Sequence, residues 1–243
     1  MRPSPAEIAR TLVVGRLAGT VQVACRPGPL TVDHATDGAG RPLLLTRVGS
    51  AVAESLRPRD EADDLAVVLS VADVAPMNGA PSLGRAYLSG WVLPLTGTEA
   101  RAAACEFAAV NPIEQLLDLG RGYVLHRVEP AEVRLERAGA TIVVGLDDYL
   151  AADPDPLHDV ERDLLADLAD HHGPEVDAFV ASVLAERSDL DTPPGPARVV
   201  RIDRYGMLVA WSGGQLVRME FTRAVRGTAE LAELLHPVLF PRC

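Results

Sequence analysis

The chain has 243 residues, 48% of them hydrophobic, and a formal charge of −11; it can build one large or two modest cores, and its charge opposes a surface made to neutralise a nucleic-acid backbone. All 23 basic residues are Arg. The absence of Lys excludes Schiff-base nucleophiles, a pyridoxal phosphate anchor and the P-loop and protein-kinase lysines, which all need an amine.

The first helix is announced by Ser4, Pro5 and Glu7, an N-cap, a first-turn proline and a capping-box carboxylate, and carries Ile8, Leu12 and Leu17 on one side. VQVACR and LTVDHAT have strand composition, and Asp37-Gly38-Ala39-Gly40 turns the chain into RPLLLTRV. A short helical stretch, SAVAESLR, leads to the strand LAVVLSVADV, and a loop returns the chain through RAYLSGWVLPL. Thr96 and Glu99 suit the cap of a helix over ARAAACEFAAV that Asn111-Pro112 ends. After a helical piece at IEQLLDL, the strands GYVLHRVEP, EVRLERA and ATIVVGL complete six or more short strands, the pattern of a closed antiparallel barrel.

An Asp- and Pro-rich tract, AADPDPLHD, divides the chain into residues 1–153 and 154–243. Beyond it, Val160, Leu164, Leu165 and Leu168 form one helical stripe, and Val176, Phe179, Val180, Val183 and Leu184 another. His171-His172-Gly173-Pro174 breaks the two. Three strands follow, ARVVRIDRYG, MLVAWSGG and QLVRMEFTRAV, with Gly206 expected to supply a positive φ in the first turn. A last helix from Thr228 buries Leu231, Leu234, Leu235 and Val238. The second part is thus a helix, three-stranded antiparallel sheet, helix module, and the fold class is α+β. Residues 153–191 hold 12 acids against 2 Arg, a solvated face or a docking surface for a basic partner.

Cys25, Cys105 and Cys243 are widely spaced, with no Cys-x-x-Cys pair, which fits a reducing compartment. Charges at Arg2, Glu7, Arg10 and Arg16 interrupt any signal-peptide core, and no apolar run reaches the roughly 18 residues of a membrane span. A cytoplasmic protein without membrane or nucleic-acid partners is expected.

The C-terminal half, with DLLADLADHHGPEVDAFVASVL, the Asp203-Arg204-Tyr205-Gly206 motif and RMEFTRAV, resembles the C-terminal domain of the HugZ-type heme proteins. The N-terminal half, through GRPLLLTRVGSAVAESLRPRDEADDLAVVLSVAD and GRAYLSGWV, resembles the FMN-binding split barrel of the pyridoxamine phosphate oxidase superfamily. Together these resemblances cover nearly the whole chain. They imply a homodimer of split barrels with a cleft at the dimer interface, and three functions. The first is heme binding in heme handling or degradation. The second is a cofactor-free module that binds a protein partner in tetrapyrrole metabolism. The third is an FMN- or deazaflavin-dependent oxidoreductase.

For heme, the resemblance points to His172 and His236 as axial ligands, with His171 beside them in the doublet, and to Arg204 at the cleft. The same residues also suit a helix-end doublet and a solvated helix terminus. For FMN it points to Thr46, Arg47 and Ser50 as phosphate donors, although Glu54 nearby has the wrong sign and no Lys is present. Arg47 equally suits a solvated strand end. His34 follows Asp33 in a strand and reads as surface polarity, because adjacent strand residues face opposite sides. His126 reads as a buried or interface histidine, and His158 as exposed. Trp91, Trp211, Tyr205 and Phe221 are assigned to strands and core packing. Ser89-Gly90-Trp91 is not a nucleophile elbow.

Overall fold

The structure, a computed structural model, describes residues 1–58, 65–185, 197–211 and 215–239. The side chains of Leu184 and Val238, and Cys243, lie outside the described residues. The chain forms two compact units: one gathers residues 4–74 and 83–154, the other residues 1–3, 75–82 and 155–243.

In the first unit, helix α1 (Pro5–Val13) starts as its sequence dictates: the Ser4 hydroxyl accepts from the Glu7 N–H at 3.2 Å, and the Glu7 carboxylate accepts from the Ser4 N–H at 2.8 Å. The helix stops at Val13, so Leu17 lies beyond it. The remaining elements are β1 (Gly19–Val23), β2 (Leu30–Thr36), β3 (Pro42–Arg47), α2 (Ala51–Ser55), β4 (Leu65–Ala72), β5 (Arg85–Pro94), α3 (Gly97–Val110), a 3-10 turn at Glu114–Asp118, β6 (Tyr123–Arg137), β7 (Ala140–Val144) and α4 (Leu146–Ala151).

The strands are antiparallel in the order β3-β2-β1-β4-β5-β6-β7, and β3 pairs back to β6. Six strands therefore close into a barrel, with β7 added along the end of β6. Alternation sorts the side chains. Val21, Leu44, Leu69, Leu88 and Val133 join Ile8 and Leu12 of α1 in one core. Leu43, Leu45 and Leu125, on the other face of the sheet, pack with Ala100, Ala103 and Phe107 of α3.

Several local expectations change. GYVLHRVEP and EVRLERA are one 15-residue strand, because a bulge opposite Ser89 and Gly90 absorbs the irregularity at Pro130. Thr96 is the N-cap of α3 but makes no side-chain capping bond, and Glu99 instead pairs with Arg127. Trp91 is 48% exposed, since its position on β5 points away from both cores.

Helix α4 (Leu146–Ala151) follows β7 where the sequence pattern shows only the end of a strand. Its Tyr149 hydroxyl, fully buried, donates to the Gly40 carbonyl at 2.9 Å; burial foremost pushes its pKa up to about 12. The Arg10 guanidinium lies 5.4 Å over the Tyr149 ring and donates from Nε to the Ala152 carbonyl at 2.9 Å. Tyr149→Phe strips the buried Gly40 carbonyl of this donor and is expected to cost about 1–3 kcal/mol, read as a lower urea midpoint at unchanged m-value.

In the second unit, α5 (Glu161–His171) and α6 (Gly173–Ala185) meet at His172, and β8 (Arg198–Asp203), β9 (Gly206–Trp211) and β10 (Gln215–Glu220) form an antiparallel sheet in the order β10-β9-β8. Helix α7 (Thr228–Leu239) follows. Leu165, Leu168, Val176, Val180, Val209, Trp211, Met219, Phe221, Leu231 and Leu235 make its core. Tyr205 sits in the β8–β9 turn rather than on a strand. Gly206 is not at positive φ. It is glycine because a Cβ would run into the Met219 carbonyl oxygen of the neighbouring strand.

Candidate functional site

The Asp203-Arg204-Tyr205-Gly206 turn organises the second unit. The Asp203 carboxylate accepts from the Tyr205 N–H at 2.8 Å and takes the Arg218 guanidinium on both oxygens, at 2.6 and 2.9 Å. The Arg204 N–H donates to Asp155 at 3.0 Å. Burial pushes the Asp155 carboxyl up, opposed by its bonds from the Leu157 and Arg204 N–H groups. The Tyr205 and Arg204 carbonyls accept from the Phe221 and Val225 N–H groups, both at 2.8 Å. The chain leaving β10 is thereby held so that Phe221 turns inward.

Phe221 is one wall of an apolar cleft of about 550 Å³ bounded by β9, β10, α6 and α7. Phe179, Met207, Met219, Leu234 and Leu235 complete its lining, and Glu220, Arg223 and Glu233 stand among the residues at its edge. Met207 and Met219 are direct cross-strand partners, so they share one face. Arg223, an arginine among the described cleft residues, pairs with Glu230 at 3.0 Å and Glu233 at 3.7 Å. Such exposed pairs are worth about 1 kcal/mol or less, so the guanidinium is free to turn to a ligand anion. The sequence places Phe179 in a helical stripe and Phe221 in core packing, and Arg223 stands in it only as part of RMEFTRAV.

The expected heme residues are spread over this unit. His236 lies in α7 between Leu235 and Pro237, both of which line the cleft, and its own side chain is exposed. His172 caps the end of α5, with its N–H bonded to the Leu168 carbonyl at 3.2 Å and its carbonyl accepting from Val176 at 2.9 Å. His171 is exposed, with Nδ1 3.0 Å from Asp167 one turn earlier. Arg204 is half-buried. Among the described residues, no three His, Cys, Asp or Glu side chains group to hold a metal ion.

A heme needs an apolar slot, an axial donor and cations for its carboxylates. The cleft supplies the apolar walls and Arg223 a cation, beside the carboxylates of Glu220 and Glu233; His236, between two lining residues of α7, is exposed and is not itself among the described lining residues. The flavin candidates are less convergent. Thr46 is buried and its hydroxyl donates to the Val124 carbonyl at 3.4 Å, Arg47 is exposed on the opposite side of β3, and the Ser50 hydroxyl accepts from the Ala53 N–H at 3.2 Å to cap α2.

Two other histidines stand apart. His34 is 1% exposed, against the expectation of surface polarity, because its position on β2 is the inward one while Asp33 takes the exposed one. His126 is 7% exposed. Burial foremost lowers the pKa of each ring to about 4. His158 is half-buried rather than exposed.

No protein-family model matches the sequence. No curated protein matches it either. Among solved structures, a heme-binding protein from Mycobacterium smegmatis is similar over 98% of this chain and 97% of its own, with 19% identity and a TM-score of 0.71. A protein of unknown function from Agrobacterium tumefaciens has the same coverage and identity at a TM-score of 0.47. HutZ, the heme storage protein from Vibrio cholerae, covers 58% of this chain with its full length, at 14% identity and a TM-score of 0.42. The whole-length match and the strand connectivity establish the architecture: an α+β chain with a closed six-stranded antiparallel barrel, followed by a three-stranded antiparallel sheet with helices.

Proposed function

We propose that this protein binds a tetrapyrrole, with heme as the ligand, in the apolar cleft of the second unit. The observation that carries this reading is the cleft itself: among the described residues, two Phe, two Met and two Leu side chains around about 550 Å³, with Arg223 at the edge beside Glu220 and Glu233. That volume and lining suit a large, flat, mostly apolar ligand. The heme-binding description of the whole-length neighbour supports the same reading.

Bound heme would supply an iron that takes an imidazole. The chain would supply Phe221 and Phe179 against the macrocycle, Arg223 for a propionate, and His236 or His172 as axial donor. His171 and Arg204 are not among the described residues that line this cleft and have no part in the proposal. A homodimer, as the resemblance implies, and a role in heme handling belong to the same proposal.

Titrating the full chain with hemin tests it. A saturable Soret band is expected, with its position and intensity altered in His236→Ala or His172→Ala, and affinity reduced roughly ten-fold in Arg223→Gln through loss of one charge-assisted contact. A Soret response identical in both histidine variants removes the ligand assignment. An affinity unaffected by Arg223→Gln and by Phe221→Ala removes the cleft.

A further inference from the structure

The barrel buries two imidazoles, His34 and His126, in an interior where backbone groups and no described carboxylate face the rings. His34 on β2 and His126 on β6 are both opposite Leu44 of β3, so the three side chains form one row on one face of three adjoining strands. Leu44 belongs to the core shared with α1, so both rings turn into that core. Among the described residues, His34 Nε2 and His126 Nδ1 are buried with no hydrogen-bond partner.

The space for His34 is built by the backbone opposite: a Cβ on Gly19 would come within 2.5 Å of its Nδ1 and 2.8 Å of its Cε1. Glycine at position 19 is therefore what allows an aromatic ring at position 34 without displacing β1.

The charged groups of the surrounding elements are committed or turned away. Arg10 of α1 serves Ala152 and Tyr149. Asp33 and Arg47 are exposed. Asp37 is taken by Arg41 at 2.7 Å, and Arg127, next to His126, pairs with Asp37 and Glu99. What acts on the rings is burial, countered by backbone groups at Val32 and Val13 for His34 and at Leu44 for His126.

We propose that His34 and His126 make the β2–β3–β6 wall of the barrel an acid-sensitive element, which opens when either ring takes up a proton. An imidazolium in this row would lie in an apolar core without a counter-ion, and the opening that brings it to water separates the strands on either side of Leu44. The proton-dependent behaviour belongs to the barrel alone and is independent of what the second unit binds.

The direction follows from linkage. In the unfolded chain the two rings protonate near 6.5, whereas in the folded barrel they do so only near 4. Between those pH values the unfolded state binds more protons, so stability is intact above about 6.5 and falls as the pH drops toward 4. For each ring the unfolding equilibrium constant rises roughly thirty-fold between pH 7.5 and pH 5, and for both together several hundred-fold.

The test is denaturant unfolding of the full chain across pH 7.5 to 4.5, beside His34→Leu and His126→Leu. Each variant is expected to remove about thirty-fold of the acid effect. Curves that fall in parallel with the wild type overturn the proposal. If a variant does not fold, the ring resonances of the wild-type protein decide: both rings remain neutral at pH 5.5 if the proposal holds, and either one titrating in the folded protein near 6.5 overturns it.

Discussion

Glu161→Ala is expected to lower the stability of the second unit by about 3–5 kcal/mol, the typical cost of leaving one member of a buried ion pair alone. Glu161 is the first residue of α5 and is buried. One carboxylate oxygen accepts from the Ile202 N–H at 2.9 Å, and the other lies 3.3 Å from Arg201 Nη1. Arg201 is itself buried and donates from Nε to the Pro81 carbonyl at 2.7 Å, which ties residues 75–82 to β8. Removing the carboxylate takes the charged partner from Arg201 Nη1 and the acceptor from the Ile202 N–H. The position at a helix N-terminus adds to the loss, because the carboxylate there faces the positive end of the helix dipole. Thermal unfolding checks this, and Glu161→Leu with Arg201→Met is expected to recover part of the loss, since no unpaired charge remains buried while the Ile202 N–H and Pro81 carbonyl still lose their partners. A single variant that unfolds within 2 °C of the wild type contradicts the assignment.

The second large effect is expected at Gly90. It sits beside the bulge between β5 and β6, and a Cβ there would collide with the Glu129 carbonyl oxygen and press within 2.9 Å of Val128 Cγ1. The obstacle is backbone, which cannot rotate away. Gly90→Ala is therefore expected to cost about 3 kcal/mol or more, at the upper end of overpacking changes. Gly38 is the control, because a Cβ there meets nothing within 4 Å and its φ is not positive. Gly38→Ala is expected to stay within about 0.5 kcal/mol of the wild type. Equal losses at the two glycines would mean that close approach does not explain position 90.

Much of this architecture is legible in the residues. Ser4, Pro5 and Glu7 specify a helix start through local bonds that any chain would make. The strands of the barrel and of the second sheet follow from period-two alternation, as at Met219 and Phe221. The Asp-Arg-Tyr-Gly turn is legible as a motif, although its physical role is not: the partners of Asp203 and Arg204 are Arg218 and Asp155, distant in sequence.

Other features depend on which strands become neighbours. Trp91 has the composition of a core residue, yet its strand position turns it outward. His34 looks polar and is buried because Gly19, 15 residues earlier, makes room for it. Gly206 reads as a turn glycine, whereas the Met219 carbonyl decides its identity. The cleft is least legible of all. Phe179, Met207, Met219, Phe221 and Leu234 come from five elements or segments, and only packing reveals that they leave a space between them.

Parallel equilibrium titrations of the full chain with hemin and with FMN separate tetrapyrrole binding from flavin binding. A tetrapyrrole-binding chain gives saturable hemin binding with a Soret band and no saturable response to FMN. Saturable FMN binding without any hemin response would contradict tetrapyrrole binding.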